Sequence, residues 1–255
     1  MSERLASPDF TEARFRDLLR LAKAHYRFAR FGDTVAGPHI LWRHDVDCSV
    51  QRAHRLAAIE AEAGVRANYF FLLDSPYYNL FEAANTRLAR AILGLGHACG
   101  LHFDPEWSQS FAPGADIEER MARERDILSD LLGADVSAVS FHNPAHAGVM
   151  DMTAEHLAGM VNAYGGAIRR EYLYCSDSFG FWRFAPLDQV LVERRADKLH
   201  ALTHPEWWTQ APLGIRARLT RCIEGRAAAT ARFQWDIWAE VGMLDTVDAE
   251  DARRR

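Results

Sequence analysis

The sequence predicts an α/β fold in which buried parallel strands alternate with helices. Apolar stretches of strand length alternate with helical stretches along most of the 255 residues, and the connections between them are short. The polar clusters HDVD, LHFD, FHNP and LTHPEW each lie where an apolar strand stops. Parallel strands wrapped by helices collect the residues at their carboxyl ends on one edge, so the clusters should meet there. A doubly wound open sheet makes the same prediction about strand ends, and the barrel is favoured over it.

The predicted elements follow the chain in order. Residues 10–31 repeat apolar side chains at spacings of three and four, which indicates an amphipathic helix. The apolar residues 40–42 form a buried strand that delivers the polar residues 43–47 at its carboxyl end. Ser49 is a typical N-cap for a helix over residues 50–63. The later predictions are strands at 67–73, 97–103, 136–141, 189–192 and 200–203, helices at 80–93, 117–132, 153–161 and 213–241, and a frayed tail at 245–255.

The composition is that of an ordinary globular domain. Hydrophobic residues make up 49% of the chain and charged residues 25%, which favours a sizeable core over disorder. The formal net charge of -5 leaves no basic surplus to neutralise a phosphate backbone, so nucleic acid is not an expected partner. Neither a linker nor an internal repeat interrupts the sequence, which predicts a single catalytic domain over residues 1–255.

The four cysteines indicate a reducing compartment. Cys48, Cys99, Cys175 and Cys222 are widely spaced and show neither CxxC nor short-loop pairing, so we expect small core residues. The N-terminal residues carry charge without an apolar signal region, and no apolar run has the length of a membrane span. We therefore expect a cytoplasmic protein with no transmembrane segment. Action on a lipid-linked sugar from the cytosolic face stays open.

Two carboxylates form the strongest chemical signal. Asp45 and Asp47 follow an apolar strand two residues apart, so in extended geometry they share one face of the strand end. Two carboxylates this close repel each other unless a cation or a proton separates them. A metal on one aspartate, with the other free as a general base, resolves the conflict. The alternative is a helix cap with a salt bridge to Arg43.

Three histidines also stand at predicted strand ends. His102 ends the strand at 97–103 and is placed to offer a ring nitrogen to a divalent ion. His142 is either a third metal ligand, a substrate contact or a turn residue. His204 lies beside Trp207 and Trp208, an arrangement that suits proton donation to a leaving amine and stacking on a sugar face. The alternative is that both indoles belong to the core.

A polar loop and several missing motifs narrow the reaction class. The stretch SDSFGFWR contributes Asp177, Trp182 and Arg183, which either line a polar pocket or form a surface turn. The chain contains no GxSxG elbow, no GxxxxGK phosphate loop and no GxGxxG fingerprint. The absence of these three motifs argues against a serine esterase, a nucleotidase and a dehydrogenase.

Taken together, the motifs RHDVD, ANYFFLL, GHACGLHFD, SFHNP, SDSFGFWR and LTHPEWW resemble the polysaccharide deacetylase (NodB-homology, carbohydrate esterase) family over about residues 41–208. They look like a divergent branch linked to surface-polysaccharide and O-antigen sugar modification. The resemblance implies a distorted (β/α) barrel of about seven strands and a metal held by one aspartate and two histidines. It also implies a deacetylase-like core at about 40–210, between the N-terminal helix 10–31 and the C-terminal helix 213–241.

The resemblance assigns roles residue by residue. Asp45 matches the family's general base, Asp47 its metal-binding aspartate and His204 its general acid. Val46 separates two aspartates that are adjacent in the family, which leaves open whether the two carboxylates have exchanged roles. His102 matches the first metal histidine, whereas Glu106 stands where the second belongs. Either His142 or Glu106 then completes the metal site, and the substrate-binding residues are expected to be Arg43, Asp177, Trp182, Arg183 and Trp207.

The function that this implies is hydrolysis of a carbon–nitrogen bond other than a peptide bond. A divalent metal, Zn²⁺ first and Co²⁺, Ni²⁺ or Mn²⁺ otherwise, assists removal of an acetyl or formyl group from an amino sugar. The substrate is a small-molecule or lipid-linked amino sugar, and the oligomeric state is left open. Two alternatives remain: a carbohydrate-binding barrel that has lost its metal, and a cyclic amide or ureide hydrolase on the same scaffold.

Overall fold

The computed structural model describes residues 10–111, 114, 116–145 and 148–253, which contain one sheet of nine strands and nine α-helices. The strands are β1 (Arg27–Ala29), β2 (His39–Val46), β3 (Asn68–Leu72), β4 (Ala98–Phe103), β5 (Val136–Phe141), β6 (His156–Leu157), β7 (Met160–Asn162), β8 (Leu173–Ser176) and β9 (Lys198–Thr203). The helices are α1 (Glu12–Lys23), α2 (Val50–Glu62), α3 (Ala83–Gly94), α4 (Pro105–Phe111), α5 (Ile117–Leu132), α6 (Gly166–Glu171), α7 (Leu187–Glu193), α8 (Ile215–Glu240) and α9 (Leu244–Arg253).

The sheet is almost entirely parallel. Its strand order is β6-β7-β5-β4-β3-β2-β9-β8, and β1 lies beside the first residues of β2. Only the short β6 and β7 run antiparallel to each other. Helices connect the parallel strands along most of the chain, which confirms the predicted α/β class.

The sheet curls into an open barrel. Leu41 of β2, Phe70 of β3 and Ala138 of β5 share one apolar cluster, although β4 separates β5 from β3 in the sheet. Phe31, which follows β1, reaches across the interior to the His200 ring of β9 at 5.5 Å between centroids. No pairing joins β6 to β8 among the described residues. The predicted distorted barrel is confirmed, with eight strands in the hydrogen-bonded path rather than about seven.

Strand β2 is the centre of this architecture because it is buried along its whole length. Its alternating side chains face opposite sides of the sheet. Ile40 and Trp42 pack into the outer core beneath the helices, whereas Leu41 joins the interior cluster. By the same alternation Arg43 and Asp45 point into the barrel, so the polar end of β2 lies inside the fold.

Asn68 closes the gap where β1 gives way to β3 beside β2. Its side-chain amide donates to the backbone carbonyls of Ala29 at 3.1 Å and Trp42 at 3.0 Å, and its Oδ1 accepts from the Phe31 N–H at 3.3 Å. The side chain is 3% exposed, so these bonds satisfy backbone groups that water cannot reach. Because Asn68 makes these hydrogen bonds, β2 can pair first with β1 and then with β3 along the same edge.

Some predicted elements match the structure closely and one helix does not. The predicted helix 117–132 and strand 136–141 have the bounds of α5 and β5. The helix predicted for residues 10–31 ends at Lys23 instead, and residues 27–29 form β1. The periodicity stops there because those residues pair in parallel with the start of β2, a long-range contact that local spacing does not report.

Three further stretches differ from their predicted type. Residues 189–192, predicted as a strand, lie in α7, where Leu187, Val190 and Leu191 form a buried helical face. Residues 153–161, predicted as a helix, contain β6 and the start of β7, and Ala158 and Gly159 turn between them with positive φ angles. The tail predicted to fray contains α9. Short apolar runs do not distinguish a buried strand from a buried helix turn.

Candidate metal centre and active site

Five side chains singled out in the sequence meet at the carboxyl edge of the sheet. Asp45 lies in β2 and Asp47 follows it, His102 lies near the end of β4, and His142 and His204 directly follow β5 and β9. These strands are parallel, and β5, β4, β3, β2 and β9 are consecutive neighbours. The curl of the sheet therefore brings their ends to one mouth of the barrel.

Asp47, His102 and His142 form a compact group of metal-ligand type. His102 Nε2 lies 3.2 Å from Asp47 Oδ1 and 3.3 Å from His142 Nδ1, and His142 Nδ1 lies 3.7 Å from Asp47 Oδ1. Among the described residues it is the only group of three or more such side chains whose ligand atoms all lie within 4.8 Å of one another.

The chemistry of the three side chains fits a divalent cation. Asp47 Oδ1 is buried and makes no hydrogen bond to any described residue, as expected of an acceptor reserved for an ion. Burial by itself raises the pKa of the Asp47 carboxyl, but the neighbouring His102 and His142 imidazoles outweigh burial and hold that pKa well below its usual range. One carboxylate and two imidazoles form a donor set typical of a catalytic zinc site, in which water or substrate takes the fourth position.

Glu106 does not belong to this group. It lies in the first turn of α4 with its side chain exposed, and its backbone N–H donates to Asp104 Oδ1 at 2.9 Å. Of the two residues that the sequence left open as the last metal ligand, the structure brings His142 to Asp47 and His102 and leaves Glu106 outside.

Ser140 orients the His102 ring, and the sequence analysis did not identify it. His102 Nδ1 lies 2.8 Å from Ser140 Oγ, and Ser140 Oγ donates to Asp45 Oδ1 at 3.5 Å. A hydrogen bond at Nδ1 leaves Nε2 directed at Asp47 and His142, which is how many proteins orient a metal-binding histidine. The available signal was the position of Ser140 two residues before His142, on the same face of the strand.

Asp45 is held by Arg43 in a buried, two-bond ion pair. Arg43 Nε and Nη2 donate to the two Asp45 oxygens at 2.7 and 2.5 Å, and the two residues are 0% and 2% exposed. The guanidinium also lies over the rings of Phe70 and Tyr164 at 5.1 and 5.0 Å from their centroids. Burial raises the pKa of Asp45, but the charge and hydrogen bonds of Arg43, together with the His102 and His204 imidazoles, outweigh burial and lower that pKa overall. The guanidinium of Arg43 is enclosed and engaged by Asp45, and its role in substrate binding stays a prediction.

His204 is held by Asp177 next to the same group. Its Nδ1 lies 2.7 Å from Asp177 Oδ1, and its Nε2 lies 3.9 Å from Asp47 Oδ2. Burial alone lowers the pKa of His204, but the Asp177 hydrogen bond and charge raise it to about 10. Asp177 is fully buried, and its contact with substrate stays a prediction. It acts on His204.

The tryptophans near the site belong mostly to the core. Trp207 is 8% exposed and Trp208 1%, and Trp208 Nε1 donates to Asp177 Oδ2 at 3.1 Å. Trp182 is partly buried and stacks on Phe10 at 5.8 Å between ring centroids. The interpretation that the Trp207 and Trp208 indoles stack on a sugar face does not agree with this burial. The alternative that both are core residues does.

The loop after β8 presents an exposed cation between aromatic rings. Arg183 is exposed, and its guanidinium carbon lies 5.5 Å from the centroid of the Phe179 ring and 5.7 Å from that of Phe184. Phe179 is 62% exposed and has a φ of 64°, a conformation uncommon for a bulky residue. Among the five predicted substrate-binding residues, Arg183 is the one with an exposed side chain.

Glu206 is a buried acid beside the site that the sequence analysis passed over. It is 1% exposed, and one of its carboxylate oxygens makes no hydrogen bond to a described residue. Burial first, and then the negative charge of Asp47, raises the pKa of Glu206 to about 8. The signal was present, since Glu206 lies within the LTHPEW cluster two residues after His204.

Comparison with known proteins gives a remote structural likeness. No known protein-family profile and no curated protein sequence matches the chain. The catalytic domain of a peptidoglycan N-acetylglucosamine deacetylase from Eubacterium rectale superposes with a TM-score of 0.46 at 14% identity, covering 79% of this chain and 89% of that one. A mutant CE4 family pseudoenzyme with restored enzymatic activity superposes with a TM-score of 0.36 at 12% identity, covering 80% and 66%. Function is therefore argued from the site itself.

Proposed function

We propose that this chain is a metal-dependent hydrolase of the polysaccharide deacetylase type, which removes an N-acyl group from an amino sugar. One observation carries the proposal. The group formed by Asp47, His102 and His142 has two fixed neighbours, the Asp45 carboxylate held by Arg43 next to His102 and the His204 imidazole held by Asp177 next to Asp47. A cation with a base and an acid beside it is the arrangement that amide hydrolysis requires.

The metal would be held by Asp47, His102 and His142. Zn²⁺ is the first choice because one carboxylate and two imidazoles form a set it prefers, and Co²⁺, Ni²⁺ and Mn²⁺ are the alternatives. Once bound, the cation would polarise the acyl carbonyl and favour negative charge on its oxygen.

Asp45 is proposed to accept the proton of the attacking water. Its lowered pKa keeps the carboxylate ionised at neutral pH, which a base requires. The two Arg43 bonds engage both carboxylate oxygens and restrict the rotation of the carboxylate. His102 Nδ1 lies 3.7 Å from Asp45 Oδ2, so the base stands next to the metal group.

His204 is proposed to protonate the departing amine. The carboxylate of Asp177 occupies Nδ1, so Nε2 is the nitrogen left to face the substrate. A pKa of about 10 means that the ring carries a proton at neutral pH and has one to give. The base lies in β2 and the acid directly follows β9, so two different side chains carry out proton removal and proton donation.

The substrate, the residue that contacts it and the cellular location are further parts of this proposal. The order of the motifs in the sequence supports an acetyl or formyl amino sugar of surface-polysaccharide or O-antigen assembly as the substrate. Exposed Arg183, between Phe179 and Phe184, is the contact that we propose for the substrate's polar groups. A cytosolic location is supported by four cysteines that are all free, three of them buried.

The alternative of a sugar-binding barrel without a metal depended on Glu106 replacing a histidine. Because His142 supplies an imidazole at the metal group, the donor set no longer depends on Glu106. The cyclic amide hydrolase uses the same metal chemistry and differs only in substrate. An activity assay with a panel of N-acetyl sugars, N-formyl sugars and cyclic ureides distinguishes the amino-sugar hydrolase from the cyclic amide hydrolase.

The test measures metal content and acyl release together. We expect the purified protein to retain close to one divalent ion per chain, and to release acetate or formate from N-acyl hexosamines in a chelator-sensitive way. Asp45→Asn should keep the metal and lower turnover by about 10² to 10⁴, and although it leaves the Arg43 charge enclosed and so reduces stability, we expect circular dichroism to show a folded chain. Asp130→Asn, an exposed change on α5, is the matched control. Near-full turnover of Asp45→Asn, or activity that survives chelation, would contradict the proposal.

A further inference from the structure

A cavity of about 760 Å³ lies between the first turns of α2 and α3 and residues 221–233 of α8. Its wall contains Cys48, the residue that follows the proposed metal ligand Asp47. Ser75 Oγ donates to the backbone carbonyl of Asp47 at 2.7 Å, and the Tyr77 N–H donates to Ser75 Oγ at 3.1 Å. Because Tyr77 also lines the cavity, the cavity and the metal group share a wall. The volume lies within the range of about 300 to 1,000 Å³ that small-molecule sites have.

Positive charge dominates the lining of this cavity. The charged residues among the described residues that line it are four arginines and one glutamate, which gives a formal net charge of +3. They are Arg52, Arg87, Arg221, Arg226 and Glu82. The whole chain has a net charge of -5, so the positive surplus is local to the cavity and does not follow from the composition.

Two of the four arginines have a carboxylate partner. Arg226 donates to both oxygens of Glu82, at 2.6 and 2.5 Å, so this pair is neutral. Arg52 Nη2 donates to Glu12 Oε1 at 2.9 Å, but the same carboxylate also accepts from Arg55 at 3.0 and 2.7 Å. One negative charge therefore serves two guanidinium groups. The Nε atom of Arg52 is buried and has no hydrogen bond to a described residue.

The other two arginines, Arg87 and Arg221, form no ion pair with a carboxylate of the described residues. Arg87 is exposed, whereas Arg221 is partly buried and its Nη2 has no hydrogen bond to a described residue. Burial and then the Arg221 charge lower the pKa of Arg52, although the Glu12 hydrogen bond opposes both effects. The two guanidinium groups therefore lie close enough to repel each other. An anion in the cavity would relieve that repulsion, because it attracts both groups where water screens them least.

The two helices on the other side of the cavity add to this attraction. Ser49 and Gln51, at the N-terminal end of α2, line the cavity, and so do Ala83 and Ala84 in the first turn of α3. The N-terminal end of an α-helix carries a partial positive charge and backbone N–H groups without helical partners. α3 begins after Glu82 without a side-chain cap. The helix ends and the arginines therefore favour the same kind of ligand, an anion.

We propose that this cavity binds the diphosphate group of the substrate, so that the amino sugar reaches the metal group while it is attached to a diphosphate carrier. The identity of the sugar rests on the proposed function, whereas the anion site rests on the cavity itself. Arginine binds phosphate oxygens through paired N–H groups. A diphosphate carries more than one negative charge, so it matches a lining of +3 better than the single charge of a carboxylate does. Because Asp47 and Cys48 are consecutive, one molecule can occupy both the metal group and the cavity.

The apolar part of the lining suits the group on the far side of the diphosphate. Tyr77, Tyr78, Cys222, Ala229 and Phe233 contribute this part. A nucleoside would stack its base on the aromatic rings, and a prenyl chain would pack against the same side chains. Both carriers are diphosphate esters, and the experiments below distinguish them.

The first experiment titrates the full-length protein with inorganic pyrophosphate and needs no turnover. Calorimetry with and without a chelator separates the cavity from the metal group, because binding to the ion is lost when the ion is removed. We expect binding in both conditions, weakened about tenfold by Arg221→Gln and about 100-fold by Arg87→Gln combined with Arg221→Gln. Arg216→Gln is the matched control, because Arg216 is an exposed arginine of α8 outside the cavity lining. Circular dichroism of each variant checks that the fold is kept.

The second experiment compares carriers on one amino sugar. The substrates are N-acetylglucosamine, uridine diphosphate N-acetylglucosamine and a short prenyl diphosphate N-acetylglucosamine, each also in its N-formyl form. We expect one diphosphate-linked sugar to exceed the free sugar in kcat/KM by at least about 100-fold. Arg221→Gln should raise the KM for that substrate about tenfold and change kcat less, since the arginine contacts a part that does not react. Preference for the uridine compound indicates a nucleoside carrier and preference for the prenyl compound a lipid carrier, and either result supports the proposal.

The outcomes separate this inference from the proposed function. Absence of pyrophosphate binding, or binding that the double arginine variant leaves unchanged, would overturn the anion site. Equal kcat/KM for the free and the diphosphate-linked sugars would overturn the diphosphate substrate and leave the hydrolase in place. Pyrophosphate binding that depends on Arg221, without acyl release from any sugar, would support the anion site and contradict the proposed hydrolase.

Discussion

Asp177 Oδ1 accepts from the backbone N–H of His204 at 2.9 Å and lies 2.7 Å from Nδ1 of the same residue. One carboxylate thus fixes both the backbone and the ring of the residue that follows β9. Because Nδ1 is engaged, the free Nε2 is the nitrogen that lies 3.9 Å from Asp47. The orientation of the proposed acid therefore depends on a fully buried residue.

Asp177→Asn should keep the fold and lose most of the activity. The amide can still accept the backbone bond, but it no longer places a negative charge beside the ring, so the pKa of His204 falls from about 10. An acid must be protonated to work, and the decline of rate at high pH should therefore move to lower pH. We expect kcat to fall by about 10² to 10³. The measurement is a pH–rate profile with an NMR titration of the imidazole, and an unmoved alkaline limb would contradict the assignment.

The geometry of the metal group predicts that His142, and not Glu106, is the third metal ligand. His142→Ala should weaken Zn²⁺ binding by about 100-fold or more, since it removes a ligand. Glu106→Ala should leave the affinity unchanged, because its side chain is exposed on α4. Calorimetric titration of the metal-free protein compares the two variants directly. The opposite ranking would restore Glu106 as the ligand.

The buried Arg43 and Asp45 pair predicts a stability change that a double variant should largely reverse. Arg43→Met leaves the Asp45 charge enclosed without a partner, which should lower the free energy of unfolding by about 3 to 5 kcal/mol. Adding Asp45→Asn removes the charge and should recover most of that loss, while activity stays absent. Urea titrations of the two single variants and the double variant measure the coupling. A double variant no more stable than Arg43→Met would exclude this account.

A side chain at position 100 should clash with the Phe70 ring in the wall of the barrel. A Cβ atom at this β4 position would lie 2.5 Å from ring atoms of Phe70, whose side chain is fully buried beneath Arg43. Gly100→Ala should therefore destabilise the fold by about 1 to 3 kcal/mol. Gly94→Ala is the matched control, because a Cβ there meets nothing within 4 Å and alanine favours the helix by about 0.5 to 1 kcal/mol. Equal thermal midpoints for the two variants would show that Phe70 moves aside freely.

Glu124 predicts how stability depends on pH. Burial, followed by the charges of Asp74 and Asp104, raises the pKa of Glu124 from 4.5 to about 8. Between these pH values the unfolded chain releases the proton and the folded chain keeps it, so stability is full below about 4.5 and declines as pH rises to about 8. Glu124→Gln should reduce the difference in unfolding free energy between pH 5 and pH 8 by more than about 1 kcal/mol.

The control for this pH effect is Glu119→Gln, an exposed change on the same helix. Urea titrations at the two pH values, for the wild type and both variants, isolate the contribution of the buried acid. If Glu124→Gln and the wild type lose the same stability between pH 5 and pH 8, Glu124 is ionised in the folded protein.

The alternation of strands and helices and the polar residues at strand ends could be predicted from the sequence. Hydrophobic periodicity and the position of Asp45, Asp47, His102 and His204 relative to apolar runs are local properties that the fold preserves. The structure accordingly confirms the α/β barrel. It also places the predicted metal residues in one group.

The partners of those residues could not be predicted in the same way. Ser140 behind His102, and Arg43 turned onto Asp45, depend on strand register and on the curl of the sheet. The same curl decides that His142 reaches Asp47 and that Glu106 does not. Residues 27–29 form a strand, and 189–192 a helix turn, because of the neighbours they pack against.

The sequence by itself therefore determined which residue types stand at the ends of the strands, because spacing and hydrophobicity are properties of the sequence alone. Only the tertiary structure decided which of them touch, which are enclosed and which charges they feel. Asp177 shows the difference. Its loop position suggested an open pocket, yet packing against Trp208 and His204 buries it fully and makes it the hydrogen-bond partner of the His204 ring.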